Sequence, residues 1–429
     1  MRIFIPSNFN FEEMFPKQLL HKDKYCYVLH KIYEERIFGR ANKQSQFVNL
    51  KSEYLRYIIG RWYYKTVIDN LIQFKIIETD NHYIVGEKSK GYKLLEPFSE
   101  SKNKAVELKD ESILLRIAKH KKTKLTNNPP GAEYKMLYDN LYKIEIDGKN
   151  AIRYVKKYFS NDIKKLNSYL MSIKFIQDKN FHWTVDDVSQ RVHTDITTLF
   201  RKIRKYLRYD GRSLVNIDIC NSQPFLFNIL IRKFFETKSP QLKTNVEFSK
   251  ILRNKFCKNR LRYLGEGIYS YDGQTFNDVM LYEILTSEGS FYEYLMEILD
   301  VDEHLRQDKD FRGVFKKQVF GRIFFCKNNN NYVRDEMKIF KWFFPTVSTI
   351  IEYYKKDDYT ELPINLQKEE SKIMINDVCG RIAQERPHMF LTTIHDSILT
   401  IENNTEYISH VILNEFKKKF NLQPKLKIE

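Results

Sequence analysis

Apolar residues recur at helical spacing along most of the chain, and a few short β-branched runs interrupt that spacing. Residues 1–47 mix aromatic and basic side chains without a motif. From Ser52 to Ile72 the positions Leu55, Ile58, Ile59, Trp62, Tyr63, Val67, Leu71 and Ile72 predict one or two helices. Phe74 to Thr79, Tyr83 to Val85 and Gly91 to Leu95, with Asp80-Asn81-His82 and the Gly86 segment between them, predict two or three strands joined by tight turns. Residues 99–132 are polar and lysine-rich, predict one helix from Ser112 to His120, and end at Asn127-Asn128-Pro129-Pro130-Gly131, a boundary. Helical spacing returns at Tyr134, Leu137 and Leu141, and again at Ile152, Val155, Phe159, Ile163, Leu166 and Leu170. Thr244 to Asp310 predicts a helix-rich segment punctuated by Gly265-Glu266-Gly267 and Asp272-Gly273, and Trp342 to Tyr354 predicts a core helix.

Two stretches break the helical pattern around an acid. Leu214 to Ile219 is an apolar run carrying Asp218; a polar Asn221-Ser222-Gln223-Pro224 turn follows, and Phe225, Leu226, Phe227, Ile229, Leu230 and Ile231 resume helical spacing. The order is strand, carboxylate, turn, helix. Far downstream, Leu391 to Ile401 flanks Asp396 with apolar residues in the same way, which predicts a second strand-borne acid. An acid at the exit of a buried strand is held rigidly with its oxygens facing a cleft, and Mg²⁺ favours such hard oxygens, sharing them with substrate phosphates. Two such acids on neighbouring strands would hold two metal ions about 3.5–4 Å apart, an arrangement that serves phosphoryl transfer. Either acid alone reads better as a loop acid or a helix cap.

A third stretch favours the chemical reading. Arg312, Lys316, Phe320 and Phe324 recur every fourth residue, so a helix would align two cations and two rings in one stripe. Cations there suit a triphosphate, and rings suit a base. An ordinary amphipathic helix would separate the two kinds of side chain.

On these residues the chain resembles the family A DNA polymerases. Arg312-x3-Lys316-x3-Phe320-Gly321-x2-Phe324 is similar to motif B, Asp218 with Ser222-Gln223 to motif A, and His395-Asp396 to motif C. Arg191-Val192-His193-Thr194, with Leu199 and Arg204, is similar to the segment preceding motif A, and Asn365-Leu366-Gln367 to the helix preceding motif C. Phe420 to Glu429 is similar to the short closing strand of that family. The resemblance covers about residues 185–429 and rests on collinear matches, none decisive singly. His395-Asp396-Ser397 departs from the usual His-Asp-Glu and is more similar to the phage-type single-subunit RNA polymerases, a sister branch.

The resemblance implies an α+β fold with a right-hand polymerase palm and helical fingers over 185–429; before it, the residue patterns predict a linker and helical thumb-like region over 99–184 and an N-terminal region with a winged helix over 1–98. It implies a DNA polymerase acting on a primer–template duplex with nucleoside triphosphates. Asp218 and Asp396 would hold two Mg²⁺ ions, Arg312 would clamp the γ-phosphate, and Lys316 would neutralise or protonate the leaving pyrophosphate. Phe320 and Phe324 would frame the incoming nucleotide, Arg191 and Gln367 would touch the minor-groove edge, and His395 would abut the primer terminus, with a core histidine as the alternative. Gln223 stands where DNA-making members carry a bulky glutamate beneath the sugar, and Phe324 lacks the hydroxyl of the usual tyrosine; both favour deoxynucleotides. No Asp-x-Glu pair precedes residue 200, so no proofreading is expected.

Composition shifts this picture little. The chain has 429 residues, 42% of them hydrophobic, enough for one large or two to three ordinary domains with real cores. A net charge of +17 suits a polyanionic partner such as nucleic acid, although an AT-biased source genome loads lysine in the same way. No apolar run spans a bilayer and no signal peptide is visible, so no membrane partner and a cytoplasmic location are expected. The five cysteines lack Cys-x2-Cys spacing and fit reduced thiols. Helix followed by a hairpin with a basic tip, over 52–95, is the order of a winged helix, which would set a helix in a duplex groove and Lys88 and Lys90 against phosphates, or serve as a packing module. The alternatives to a DNA polymerase are a phage-type RNA polymerase or primase-like polymerase, and a non-catalytic winged-helix replication protein.

Overall fold

The computed structural model describes residues 1–38, 47–84, 87–126, 131–238, 261–271, 274–328 and 335–429, and the side chains of these except 121–126 and 274. Gly86, Cys257, the Asp272-Gly273 pair, Asn127 to Pro130 and Asn329 to Asn331 lie outside the described residues. The chain forms two compact units. Unit 1 comprises 1–130, 142–182 and 194–211, and unit 2 comprises 131–141, 183–193 and 212–429. The boundaries therefore differ from those read at 98 and 184, because the chain passes between the units more than once.

In unit 1, strand Arg2–Pro6 pairs antiparallel with Asn103–Glu107, two segments in which the sequence showed no strand pattern. A three-stranded sheet sets Gly91–Leu94 between Val48–Asn49 and Ile77–Thr79. The apolar spacing from Ser52 onward yields two helices, Ser52–Ile59 and Arg61–Gln73. They part at Gly60, whose φ of 96° is open to glycine at little cost. Helices Lys22–Phe38, Glu111–Thr126, Gly148–Phe159 and Ile163–Gln177 are the longest other helices of the unit. Its core gathers Tyr25, Leu29, Ile58, Leu71, Tyr92 and Phe175, all buried.

Unit 2 mixes helices with a four-stranded sheet, in the order Leu391–Ile394, Ser397–Thr400, Val215–Ile219, Leu426–Ile428. Every neighbouring pair in it is antiparallel. The last of these strands is the closing strand expected from the sequence. Phe225, Phe227 and Tyr282 are among the buried residues of a core that joins this sheet to helices Ser222–Lys238, Asp278–Ser287, Phe291–Ile298 and Pro345–Tyr354. Helix Ala132–Leu141, read with the helices that follow it, belongs to this unit: the Asn140 side-chain amide donates to the carbonyls of Met389 at 3.0 Å and Leu391 at 3.1 Å.

The segment read as helix-rich also contains strands Leu261–Gly265, Ile268–Tyr271 and Gln274–Asn277, paired as successive antiparallel neighbours. Gly265, Glu266 and Gly267 all take positive φ at the first turn, so what reads as punctuation between helices is a hairpin tip. Helices follow from Asp278 onward, and the buried Asp278 carboxylate accepts the backbone N–H groups of Thr346 and Val347, capping Pro345–Tyr354.

Candidate active site

Alternation along Val215–Ile219 buries Ile217 and Ile219 on one face and puts Asn216 and Asp218 on the other. Asp218 lies opposite Ser397 in the neighbouring strand. Asp396 immediately precedes Ser397, in the two-residue turn that joins Leu391–Ile394 to Ser397–Thr400. Register thus brings both acids to one end of the sheet. The second acid sits in a hairpin turn and not within a strand, as the unbroken apolar flanks had suggested. The turns that follow Asp218 and contain Asp396 each hold a non-glycine residue in the left-handed region, Asn221 at φ 53° and His395 at φ 54°. Such conformations are uncommon and persist where surrounding structure enforces them.

Burial pushes the Asp396 carboxyl up from its ordinary value; Ser222, then Arg191 and Lys316, act in the opposite direction. The His395 ring lies 6.0 Å from that of His193, on the strand Val192–Thr194.

A third acid, missed in the sequence, lies beside this pair. Glu370, 1% exposed, accepts Nε of Arg191 at 2.9 Å and Nη2 at 2.6 Å, one on each carboxylate oxygen. Its Oε2 also accepts the side-chain amide nitrogen of Gln223 at 2.9 Å. Burial pushes the Glu370 carboxyl up to about 7, Arg191 opposing this and the charge of Asp396 adding to it. A signal was present: Leu362, Leu366 and Glu370 share one buried stripe of the helix Glu361–Ser371, so a carboxylate occupies a core position. Gln367 is half-buried on the same helix, three residues earlier.

The helix Lys309–Val319 carries Arg312 and Lys316, one turn apart, on its half-buried side. Nε of Arg312 donates to Glu293 at 2.8 Å and Nη2 meets the same oxygen, so Nη1 is left without a partner among the described residues. Lys316 lies over the Tyr292 ring, 4.9 Å from its centroid. Burial pushes the Lys316 ammonium below its ordinary value, Arg312 adds to this, and Glu293 and Asp218 oppose it.

The expected stripe holds for Arg312, Lys316 and Phe320, then ends. Residues Phe320–Phe324 form a π turn, closed by the N–H of Phe325 bonding to the Phe320 carbonyl at 2.8 Å. The wider turn carries Phe324 into the core, 0% exposed, with its ring against Phe227, Phe291 and Phe340. Phe324 therefore has no open face for a nucleotide, a correction to its expected place in the stripe. In unit 1, Lys88 donates to Asp80 at 3.2 Å and lies 2.9 Å from His82, and Lys90 lies over the Tyr83 ring at 6.0 Å.

The donor set at the sheet end suits a divalent cation. Asp218 and Asp396 offer hard oxygens, and a cation would offset the burial that disfavours charge on Asp396. Among the described residues no group of three or more His, Cys, Asp and Glu could hold a metal by itself. Further oxygens would come from water or phosphate, as Mg²⁺ commonly takes them. Among the described residues no helix is long and apolar enough to cross a membrane, and Cys26, Cys220, Cys326 and Cys379 are free thiols.

No family model matches the chain, and no curated protein matches it. Among solved structures it is similar to the POL domain of Pol1 from M. smegmatis in complex with DNA primer-template and dNTP, at a TM-score of 0.26 and 11% identity over 65% of this chain. The match spans 55% of the length of that structure.

Proposed function

We propose that unit 2 carries out template-directed nucleotidyl transfer, extending a DNA 3′ end with deoxynucleoside triphosphates and without editing. The observation that carries this reading is the register of Asp218 against Ser397, which sets Asp218 and Asp396 together at one sheet end within the electrostatic reach of Lys316. On this reading the four-stranded sheet is the palm, and the helices from Asp278 to Val319 belong to the fingers.

Asp218 and Asp396 would hold Mg²⁺, which when bound supplies activation of the primer hydroxyl and stabilisation of charge on phosphorus. Arg312, aligned by Glu293, would direct its remaining guanidinium nitrogen at the triphosphate. Lys316 has a lowered proton affinity and is held over Tyr292, so it would give its proton to the leaving pyrophosphate more readily than a solvated lysine. Phe320, half-buried, would offer its ring to the base. Gln223, in the first turn of the helix that follows Asp218, would occupy the space beneath the sugar and exclude a 2′-hydroxyl. In unit 1, the helix pair Ser52–Ile59 and Arg61–Gln73 with the sheet that follows would contact nucleic acid as a winged helix, though Lys88 would have to exchange Asp80 for phosphate.

A labelled primer–template incubated with Mg²⁺ and either dNTPs or rNTPs tests the proposal. Extension with dNTPs, lost in Asp218→Ala and in Asp396→Ala while duplex binding survives, is the expected result. Preferential use of rNTPs would replace it with the RNA polymerase reading, and no incorporation of either would remove catalysis from the proposal.

A further inference from the structure

Glu370 joins residues from three separate segments: its own helix, Arg191 before the strand Val192–Thr194, and Gln223 at the start of the helix Ser222–Lys238. Its carboxylate is almost fully enclosed and accepts three N–H groups. The Arg191 fork engages both carboxylate oxygens as acceptors, so Gln223 presents its amide nitrogen to Oε2, and the amide oxygen is turned away. Amide orientation is ambiguous for a glutamine with neutral neighbours; here the partner fixes it. Arg191 matches both oxygens in a fork, which holds the carboxylate plane in one orientation. Gln223 is thus braced at a defined rotamer next to Ser222, which itself acts on Asp396.

We infer that Glu370 is a positioning residue that sets the discrimination between deoxy- and ribonucleotides by bracing Gln223, with Arg191 holding the brace. The inference rests on the nucleotidyl-transfer reading above. A braced side chain excludes a 2′-hydroxyl because it cannot swing aside, whereas an unbraced one yields. In Glu370→Gln the side chain keeps its shape but offers one acceptor and one donor group to three incoming N–H donors, so Gln223 loses its bond or flips.

The experiment measures kcat and KM for one dNTP and its matching rNTP, in parallel, for wild type, Glu370→Gln and the double variant Arg191→Met/Glu370→Met. The ratio of the two kcat/KM values is independent of the fraction of folded enzyme, so a partly unfolded variant remains informative. Glu370→Gln should shift the ratio toward ribonucleotides about tenfold, the weight of one hydrogen bond to a charged group, mainly through a lower KM for the rNTP. The double variant removes both buried charges together, which is often neutral for stability. If it recovers thermal stability but keeps the relaxed ratio, the positioning role stands. A wild-type ratio in Glu370→Gln, or a ratio restored along with stability in the double variant, overturns it and leaves a structural ion pair. Absence of incorporation by the wild type would instead defeat the underlying reading.

Discussion

Glu34 in unit 1 and Glu370 in unit 2 both sit on helices and both meet a cation, yet burial leaves them on opposite sides of the ordinary glutamate value. Burial works against charge on Glu34, but Lys31, one turn before it, and His30 override this and hold it at about 2. Asp110, at the start of Glu111–Thr126, is likewise brought to about 2 against the cost of burial, by Ser112 and Lys24. In unit 2 burial wins: Glu370 is pushed up to about 7 despite its fork to Arg191, and Asp396 is raised as well. Two acids there share limited cationic support, and the charge of Asp396 raises Glu370 further. The acids of unit 1 are compensated by the chain itself. At the sheet end of unit 2, burial holds Glu370 and Asp396 above their ordinary values, so a cation bound there would favour their ionised forms.

The strongest way to break this contrast is Asp396→Asn. Incorporation should fall to background, while the melting temperature without divalent cation should hold or rise, because a disfavoured charge is removed. Mg²⁺ should raise the melting temperature of the wild type and leave that of the variant unchanged. A large loss of stability in the metal-free variant would show that Asp396 is already compensated within the protein.

Lys316→Ala should come next in size. The rate of chemistry should drop by about 10²-fold with nucleotide affinity little changed, since the proton is needed only as pyrophosphate leaves. Arg312→Ala should weaken nucleotide affinity as well. Rapid-quench kinetics separate the two effects, and unchanged chemistry in Lys316→Ala would sink its role.

Acidification offers a subtler test. Glu34 has a folded value below its ordinary 4.5, so its contribution is present above that pH and is lost as pH falls toward about 2. Glu370 has a folded value above its ordinary 4.5, so its penalty is complete above about 7 and relieved as pH falls to 4.5. Hydrogen exchange should show the helix Glu361–Ser371 gaining protection between pH 7 and 4.5, while the helix Lys22–Phe38 holds until lower pH. Equal behaviour of the two helices would erase the distinction. The smallest effect is that of Glu34→Gln, which should cost about 1 kcal/mol of stability, given its partial exposure, and leave incorporation per folded molecule unchanged.

How legible each element was depended on how far its determinants lie along the chain. Asp218 and the helix after it were readable because strand, turn and helix are contiguous and each has its own period. Asp396 was found but misplaced, because two apolar strands separated by two residues read as one. Arg2–Pro6 and Asn103–Glu107 escaped notice because each is short and finds its partner about a hundred residues away. Glu370 is hard to read because nothing local separates it from the other carboxylates of the same helix, Glu361 and Glu369, except the stripe of Leu362 and Leu366. The π turn after Val319 could not be read at all: nothing in Phe320-Gly321-Arg322-Ile323-Phe324 distinguishes it from a continuing α-helix.

The chain enters unit 2 three times, through 131–141, 183–193 and 212–429. The first visit brings Asn140 to the carbonyls of Met389 and Leu391, and the second brings Arg191 to Glu370. Recombination that exchanged everything before residue 212 as a cassette would therefore hand the downstream portion a foreign Arg191 and a foreign helix. The remainder would keep its acids and lose the groups that hold them, so the short early visits are constrained by residues encoded some two hundred positions later and not by the unit 1 residues that flank them.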